Sequence, residues 1–338
     1  MRALVYYGTQ DMRVSEIEKP EVKKGEVLIK VEACGICGSD VHGYLGVTGR
    51  RIPPMVMGHE FTGIVSALGE GVEDVSLGDR VVVYPARFCG RCDFCKVGLT
   101  NLCINRTIFG VMNVNGAMAE YVSVPRENIL KLPENIDFVK GTFLEPLSVA
   151  YRAVKTAGDI LNRNILIVGA GTIGLLILQI VKLGGARTVL ITDINDVRLG
   201  IAKRLGADLT LNPDREDIKA LISQSIPDGI DLAFEAVGLE STVNQALTIL
   251  KNRGTCIFVG NSMKNITIDM QNIVTRELRI LGTYTYTLGE FRESISLLGK
   301  IDVETMLSKV VPLEEGPEVF RELIQKNSNL LKVVLKIS

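Results

Sequence analysis

The sequence predicts a two-domain α/β chain, a β-rich part followed by a doubly wound parallel sheet, and three observations carry that prediction. At 338 residues the chain is long for a single hydrophobic core, so two domains is the natural expectation. The first part reads as short β-branched runs broken by Gly and Pro. After about residue 140 apolar strands alternate with helical spacing, which is the pattern of a parallel sheet covered on both faces.

In the first part, VLIKVEACG (27–35), FTGIVSALG (61–69), DRVVVYP (79–85) and AEYVSVP (119–125) are the predicted strands. Long irregular loops at 43–58 and 86–117 separate them, and loops of that size inside a domain are more often functional than slack. In the second part the strands are expected over 164–171, 188–195, 230–238, 255–261 and 278–284. The tail then offers a helix over 315–326, EGPEVFRELIQK, and a last strand, LLKVVLKIS.

Composition narrows the function classes. A net charge of −1 provides no basic field for a polyanion, so neither nucleic acid nor an anionic membrane surface is an expected partner. The start, MRALVYYGTQDMRV, has no apolar core and no small-residue cleavage site, and a cytoplasmic location is expected. Residues 165–181, ILIVGAGTIGLLILQIV, carry no charge, but their glycines fall where a strand turns into a helix and the run is shorter than the roughly 20 residues a span needs. Seven cysteines, an odd number, argue against a disulfide framework and for metal ligation wherever they cluster. The two histidines, His42 and His59, both stand near the first cysteine pair.

Gly169-Ala170-Gly171-Thr172-Ile173-Gly174 is a G-x-G-x-x-G between an apolar strand and a helix, with Asp193 lying 22 positions after Gly171 at the end of the next strand. The glycines permit a tight turn, close approach to a pyrophosphate and close helix–strand packing. The acidic residue falls where the adenine ribose hydroxyls are bound. This is a Rossmann dinucleotide site, and a carboxylate at Asp193 would repel a 2′-phosphate, which favours NAD over NADP.

Cys89, Cys92, Cys95 and Cys103 form a Cys-x2-Cys-x2-Cys-x7-Cys run. Four thiolates from one loop can close a tetrahedron around a structural zinc. An iron–sulfur cluster is the alternative, although its usual run has other spacing and a Pro after the last Cys, where this chain has Ile104. The earlier stretch CGICGSDVHGY, at 34–44, offers Cys34, Cys37 and His42, and His59-Glu60 follow. A redox Cys-x-x-Cys would open a helix in a thioredoxin-like unit, which is absent from this part of the sequence. Spacing alone does not choose between Cys34 and Cys37.

GHEFTGIVSALGEGV (58–72) matches G-H-E-x2-G-x5-G-x2-V, and with GICGSDVH, GDRV (78–81), the four-cysteine run, EPLSV (145–149) and VGAGTIG it resembles the zinc-containing medium-chain alcohol dehydrogenases, most of all their sorbitol and polyol dehydrogenase branch. The resemblance covers essentially the whole chain. It implies a GroES-like catalytic domain over 1–150 with a zinc lobe at about 86–105, a Rossmann domain over 151–286, and a return to the catalytic domain over 287–338. It also implies two zinc ions per chain. Cys37, His59 and Glu60 would ligate the catalytic zinc, with Glu145 either a fourth ligand or the partner of its water. Ser39 and His42 would relay the alcohol proton, and Asp40 would accept a hydrogen bond from His59. Cys34 would be a small buried residue.

For the cofactor the resemblance implies that Gly169, Gly171, Ile173 and Gly174 serve the pyrophosphate, Asp193 the ribose and Arg198 the adenine side. Val237, Val259, Gly260 and Thr283 would line the nucleotide edge of the sheet. Family members are commonly dimers or tetramers, so the resemblance implies a homodimer or homotetramer acting on a small-molecule substrate. Two residues depart from the sorbitol pattern: Thr285 stands where an Arg would engage the polyol, and Gly43 where an aromatic follows the relay histidine. A secondary hydroxyl of a sugar alcohol or sugar acid is the expected substrate. L-Threonine and vicinal diols are the alternatives, and a non-catalytic zinc- and NAD-binding relative is the remote one.

Overall fold

The computed structural model describes residues 1–325 and 328–338. They divide into two units, Met1–Glu145 with Tyr286–Ser338, and Pro146–Thr285. The chain passes between them at 145/146, inside helix Leu144–Ala157, and at 285/286, where the sequence reading put 150/151 and 286/287.

In the first unit, strand Glu26–Gly35 is the hub, because Val27, Ile29 and Val31 along it are fully buried. It pairs antiparallel with Glu60–Leu68, Tyr121–Pro125 and Lys332–Lys336. Arg80–Val83 and Ile129–Lys131 extend the sheet on one side and Leu307–Pro312 on the other, giving seven strands. The tail thus supplies two strands of a sheet begun some 300 residues earlier, with Leu335 at Cys34 and Lys336 at Ala33. Val31, Phe61, Val81, Phe320 and Leu335 share one core. A hairpin of Arg2–Gly8 and Asp11–Glu16 is additional to the strands the sequence predicts. The tail helix runs Gly316–Leu323; Lys326, the last residue of the predicted helix, lies outside the described residues.

The second unit carries six parallel strands in the spatial order Leu209–Leu211, Thr188–Thr192, Asn164–Val168, Ile230–Glu235, Leu250–Phe258, Arg279–Gly282. The order reverses between the third and fourth of these, the switch point at which such sheets bind ligands. Fully buried runs such as Ile165-Leu166-Ile167 explain why these strands read as continuous apolar stretches. The uncharged stretch 165–181 resolves into strand Asn164–Val168 and helix Thr172–Leu183. No helix among the described residues is long and apolar enough to cross a membrane.

Candidate active site and metal centres

Cys37 is the N-cap of helix Gly38–Tyr44. Its Sγ accepts the Ser39 N–H at 3.5 Å, while Asp40 Oδ2 accepts the Cys37 N–H at 3.2 Å, so the same capping box that starts the helix fixes the sulfur. His59 and Glu60 arrive from the other side, at the start of strand Glu60–Leu68. Gly58 makes the turn that delivers them: its φ is +98°, and a Cβ there would stand 2.6 Å from Cys34 Sγ. Gly35 is needed for a different reason, since a Cβ on it would collide with the Glu60 carboxylate.

The ligand atoms of Cys37, His59 and Glu60 lie within 4.8 Å of one another. Burial pushes the His59 imidazole down, but Asp40, Cys37 and Glu145 outweigh it and raise the group to about 10. A buried imidazole forced to keep its proton among acidic donors marks a place that suits a cation, and a divalent metal would take the role of that proton. Glu60 is paired with the buried Lys332, whose Nζ also donates to the Ile36 carbonyl at 3.1 Å. Burial pushes Lys332 down, yet Glu60 overrides this and the group is raised.

Glu145 stands apart from the trio. The Tyr286 hydroxyl donates to its Oε1 at 2.8 Å, and burial pushes the carboxyl up to about 7 against the nearby His59. Tyr286 in turn stacks on Phe291 at 5.6 Å and is edged by Tyr84, so the donor is held by an aromatic cluster. Cys34 is fully buried in strand Glu26–Gly35 outside the trio, and burial pushes its thiol well up. His42 sits exposed on helix Gly38–Tyr44. One expectation is corrected. Asp40 does not accept a hydrogen bond from His59: Nδ1 lies 3.5 Å from Oδ1 and has no hydrogen-bond partner. Arg51 Nη2 donates to the same oxygen at 2.7 Å.

Cys89, Cys92, Cys95 and Cys103 form a second group, again with all ligand atoms within 4.8 Å. Backbone N–H groups, Arg91's first, draw the Cys89 thiol down to about 6, whereas burial and the neighbouring thiols push Cys95 up to about 12. Thiols that oppose each other's ionisation in this way suit a thiophilic dication that lets all four ionise. All seven cysteines are free.

In the second unit Gly169 takes φ +101°, Gly171 caps helix Thr172–Leu183, and a Cβ on Gly174 would run into the Gly169 carbonyl. Ile173 is half-buried on the helix's first turn. Asp193 Oδ2 accepts the Ala170 N–H at 2.7 Å and Oδ1 the Asn195 N–H at 2.8 Å, so the acid ties the glycine loop to the next strand end. Arg198 follows in helix Asp196–Arg204. Val237, Val259 and Gly260 all donate backbone N–H groups to Glu235, at 2.9–3.0 Å. Thr283 N donates to the Phe258 carbonyl at 3.0 Å, and its buried hydroxyl oxygen has no hydrogen-bond partner.

Lys332, Arg51 and Tyr286 are the residues that sequence reasoning missed. Lys332 left one signal, a lysine at an inward position of an apolar strand; the other two left none.

Models of two domains match the chain, the alcohol dehydrogenase GroES-like domain over residues 23–134 and the zinc-binding dehydrogenase domain over 172–300. D-xylulose reductase A of Aspergillus niger is 35% identical over 93% of this chain and 89% of that protein. D-arabitol-phosphate dehydrogenase of Enterococcus avium is 34% identical over 97% and 95%. A zinc-binding dehydrogenase of Sinorhizobium meliloti, solved with NADP, superimposes with a TM-score of 0.92 at 33% identity, covering 99% of this chain and 98% of that one. The chain belongs to the zinc-containing medium-chain polyol dehydrogenase family. It is an oxidoreductase acting on CH–OH groups.

Proposed function

We propose that the protein oxidises a secondary hydroxyl of a sugar alcohol or sugar acid with NAD as hydride acceptor. The observation that carries this is the convergence of Cys37, His59 and Glu60, with Ser39 two residues from the first of them. These three side chains would hold a catalytic zinc, and the four cysteines of the 89–103 lobe a second, structural one. When bound, zinc supplies Lewis acidity to the alcohol oxygen and NAD takes up the hydride.

The chain's own groups do the rest. Ser39 Oγ accepts the proton the alcohol gives up as it releases its own hydroxyl proton into the relay, and His42, exposed on the same helix, hands a proton to water. Glu145, kept near neutral pH in its titration and anchored by Tyr286, can hold or release a proton beside His59. The glycine loop presents the N-terminus of helix Thr172–Leu183 to the pyrophosphate. Asp193 supports NAD rather than NADP, because its carboxylate would repel a ribose phosphate. Seven free thiols suit a reducing, cytoplasmic compartment, and the family resemblance suggests a homodimer or homotetramer working on small molecules.

The experiment is NADH formation by zinc-loaded protein across polyols, phosphorylated polyols, aldonates, vicinal diols and L-threonine. Turnover of a polyol or aldonate is the expected result. Turnover confined to diols or threonine would overturn the substrate reading, and silence with every compound would overturn the activity.

A further inference from the structure

Next to the metal-binding trio lies a buried cation that neither binds metal nor belongs to the proton relay. Arg51, from the 43–58 loop, has a side chain only 3% exposed, and its partner Asp40 is fully buried. Its Nη2 donates to Asp40 Oδ1 at 2.7 Å and to Ser39 Oγ at 3.2 Å. The same Asp40 oxygen faces His59 Nδ1 at 3.5 Å. One guanidinium nitrogen therefore links the serine hydroxyl to the carboxylate behind a metal-binding histidine.

Gly43 makes the room. A Cβ there would stand 2.8 Å from Arg51 Cγ and 3.2 Å from Cδ and Nε. Gly43 lies inside helix Gly38–Tyr44 and has no left-handed backbone, so what its missing side chain provides is space, not conformation. Glycine inside a helix costs about 1 kcal/mol relative to alanine. In this helix that space is filled by the stem of the arginine.

We propose that Arg51 is a positioning residue of the dehydrogenase reaction, acting through Ser39 and Asp40, with Gly43 as the gap that admits it; this rests on the reading of Ser39 as proton acceptor. A serine oxygen has two lone pairs, and the Arg51 N–H takes one of them. The hydroxyl hydrogen must then point away from Arg51, free to leave along the relay as the second lone pair takes the alcohol proton. Donor and acceptor directions are set before substrate arrives, so no reorganisation is needed at the moment of proton transfer. By holding Asp40 Oδ1, the same nitrogen also fixes the negative charge that faces His59 Nδ1 at 3.5 Å.

The test compares Arg51→Met, Arg51→Lys and Gly43→Val with the wild type by two readouts. In the first, cobalt(II) replaces zinc and its visible bands report the ligand geometry without any turnover; the four-cysteine site contributes equally to every variant and cancels in difference spectra. Arg51→Met and Gly43→Val should shift the bands, and Arg51→Lys, which keeps a donor cation, should largely restore them. In the second, kcat should fall about 10- to 100-fold in Arg51→Met and Gly43→Val while the KM for NAD stays unchanged, again with recovery in Arg51→Lys. In a Ser39→Ala background Arg51→Met should cost less than in the wild type, the remainder being what Arg51 exerts through Asp40. Unshifted bands in both disruptive variants, or an equal further loss in the Ser39→Ala background, would overturn the proposal. A wild type that oxidises no alcohol would fail the activity reading alone; shifted bands would still support the positioning role, and unshifted bands would overturn it.

Discussion

Lys332 lies at the start of the strand Lys332–Lys336 and is as buried as the valines that follow it. A lone ammonium could not survive there, and Glu60 makes it tolerable; each is the other's answer to burial. Removing one partner of a buried pair leaves the other charge unmatched, at a cost of about 3–5 kcal/mol. Lys332→Met should therefore lower the unfolding free energy by roughly that amount, read from urea unfolding of the metal-free protein, where no bound cation stands in for the lysine. A loss under about 1 kcal/mol would mean that Glu60 is satisfied without the lysine. The pairing was illegible in the sequence because 272 residues separate the partners, and 141 separate Tyr286 from Glu145. Motif spacing reports what one turn or one loop brings together. It is silent on contacts made by strand pairing across the length of the chain.

Elements were more legible than their partners. Five of the six parallel strands announced themselves because both of their faces are covered, leaving continuous apolar runs, and each predicted run contains or overlaps an observed strand; the edge strand Leu209–Leu211 was not predicted. Their C-terminal ends were overestimated, since residues such as Gly169, Asp193 and Gly238 belong to the loops that follow the strands. Asp231 shows how one of these strands is fastened. It sits in strand Ile230–Glu235 and accepts the Asn164 N–H at 2.8 Å from the head of the neighbouring strand, with Lys251 at 2.5 Å. Burial alone would raise this carboxyl, but Lys251, the Asn164 amide and Arg163 overcome that and hold it below the usual carboxylate range. A depressed folded-state pKa stabilises above the unfolded value of 3.8 and loses its contribution as pH falls through the folded one. Asp231→Asn should thus cost about 1–2 kcal/mol at neutral pH, and the gap to the wild type should close as pH falls from about 5 toward 3. Denaturant midpoints at several pH values check it; a gap independent of pH would assign the effect to shape and not to charge.

At the scale of the whole molecule, the two units divide the chemistry between them. Cys37, His59, Glu60 and the four lobe cysteines all belong to Met1–Glu145, while the glycine loop and Asp193 belong to Pro146–Thr285, and the units have separate cores. The sequence made this division visible as a change from broken strands to alternating strands and helices, and its cysteines and histidine pointed to both groups whose ligand atoms the fold brings within 4.8 Å of one another. It could not place the charges that surround them, Arg51 above all, because a loop arginine carries no periodicity. If dinucleotide binding is a property of the second unit's own fold, damage to the trio should leave it intact. Cys37→Ser should abolish turnover yet bind NADH with a Kd within about two-fold of the wild type, well under the ten-fold that 1.4 kcal/mol represents. Fluorescence titration of NADH against both proteins measures this directly. A Kd weakened ten-fold or more would mean that the trio of Cys37, His59 and Glu60 contributes to holding the cofactor, and that the division of labour inferred from the two cores does not extend to binding.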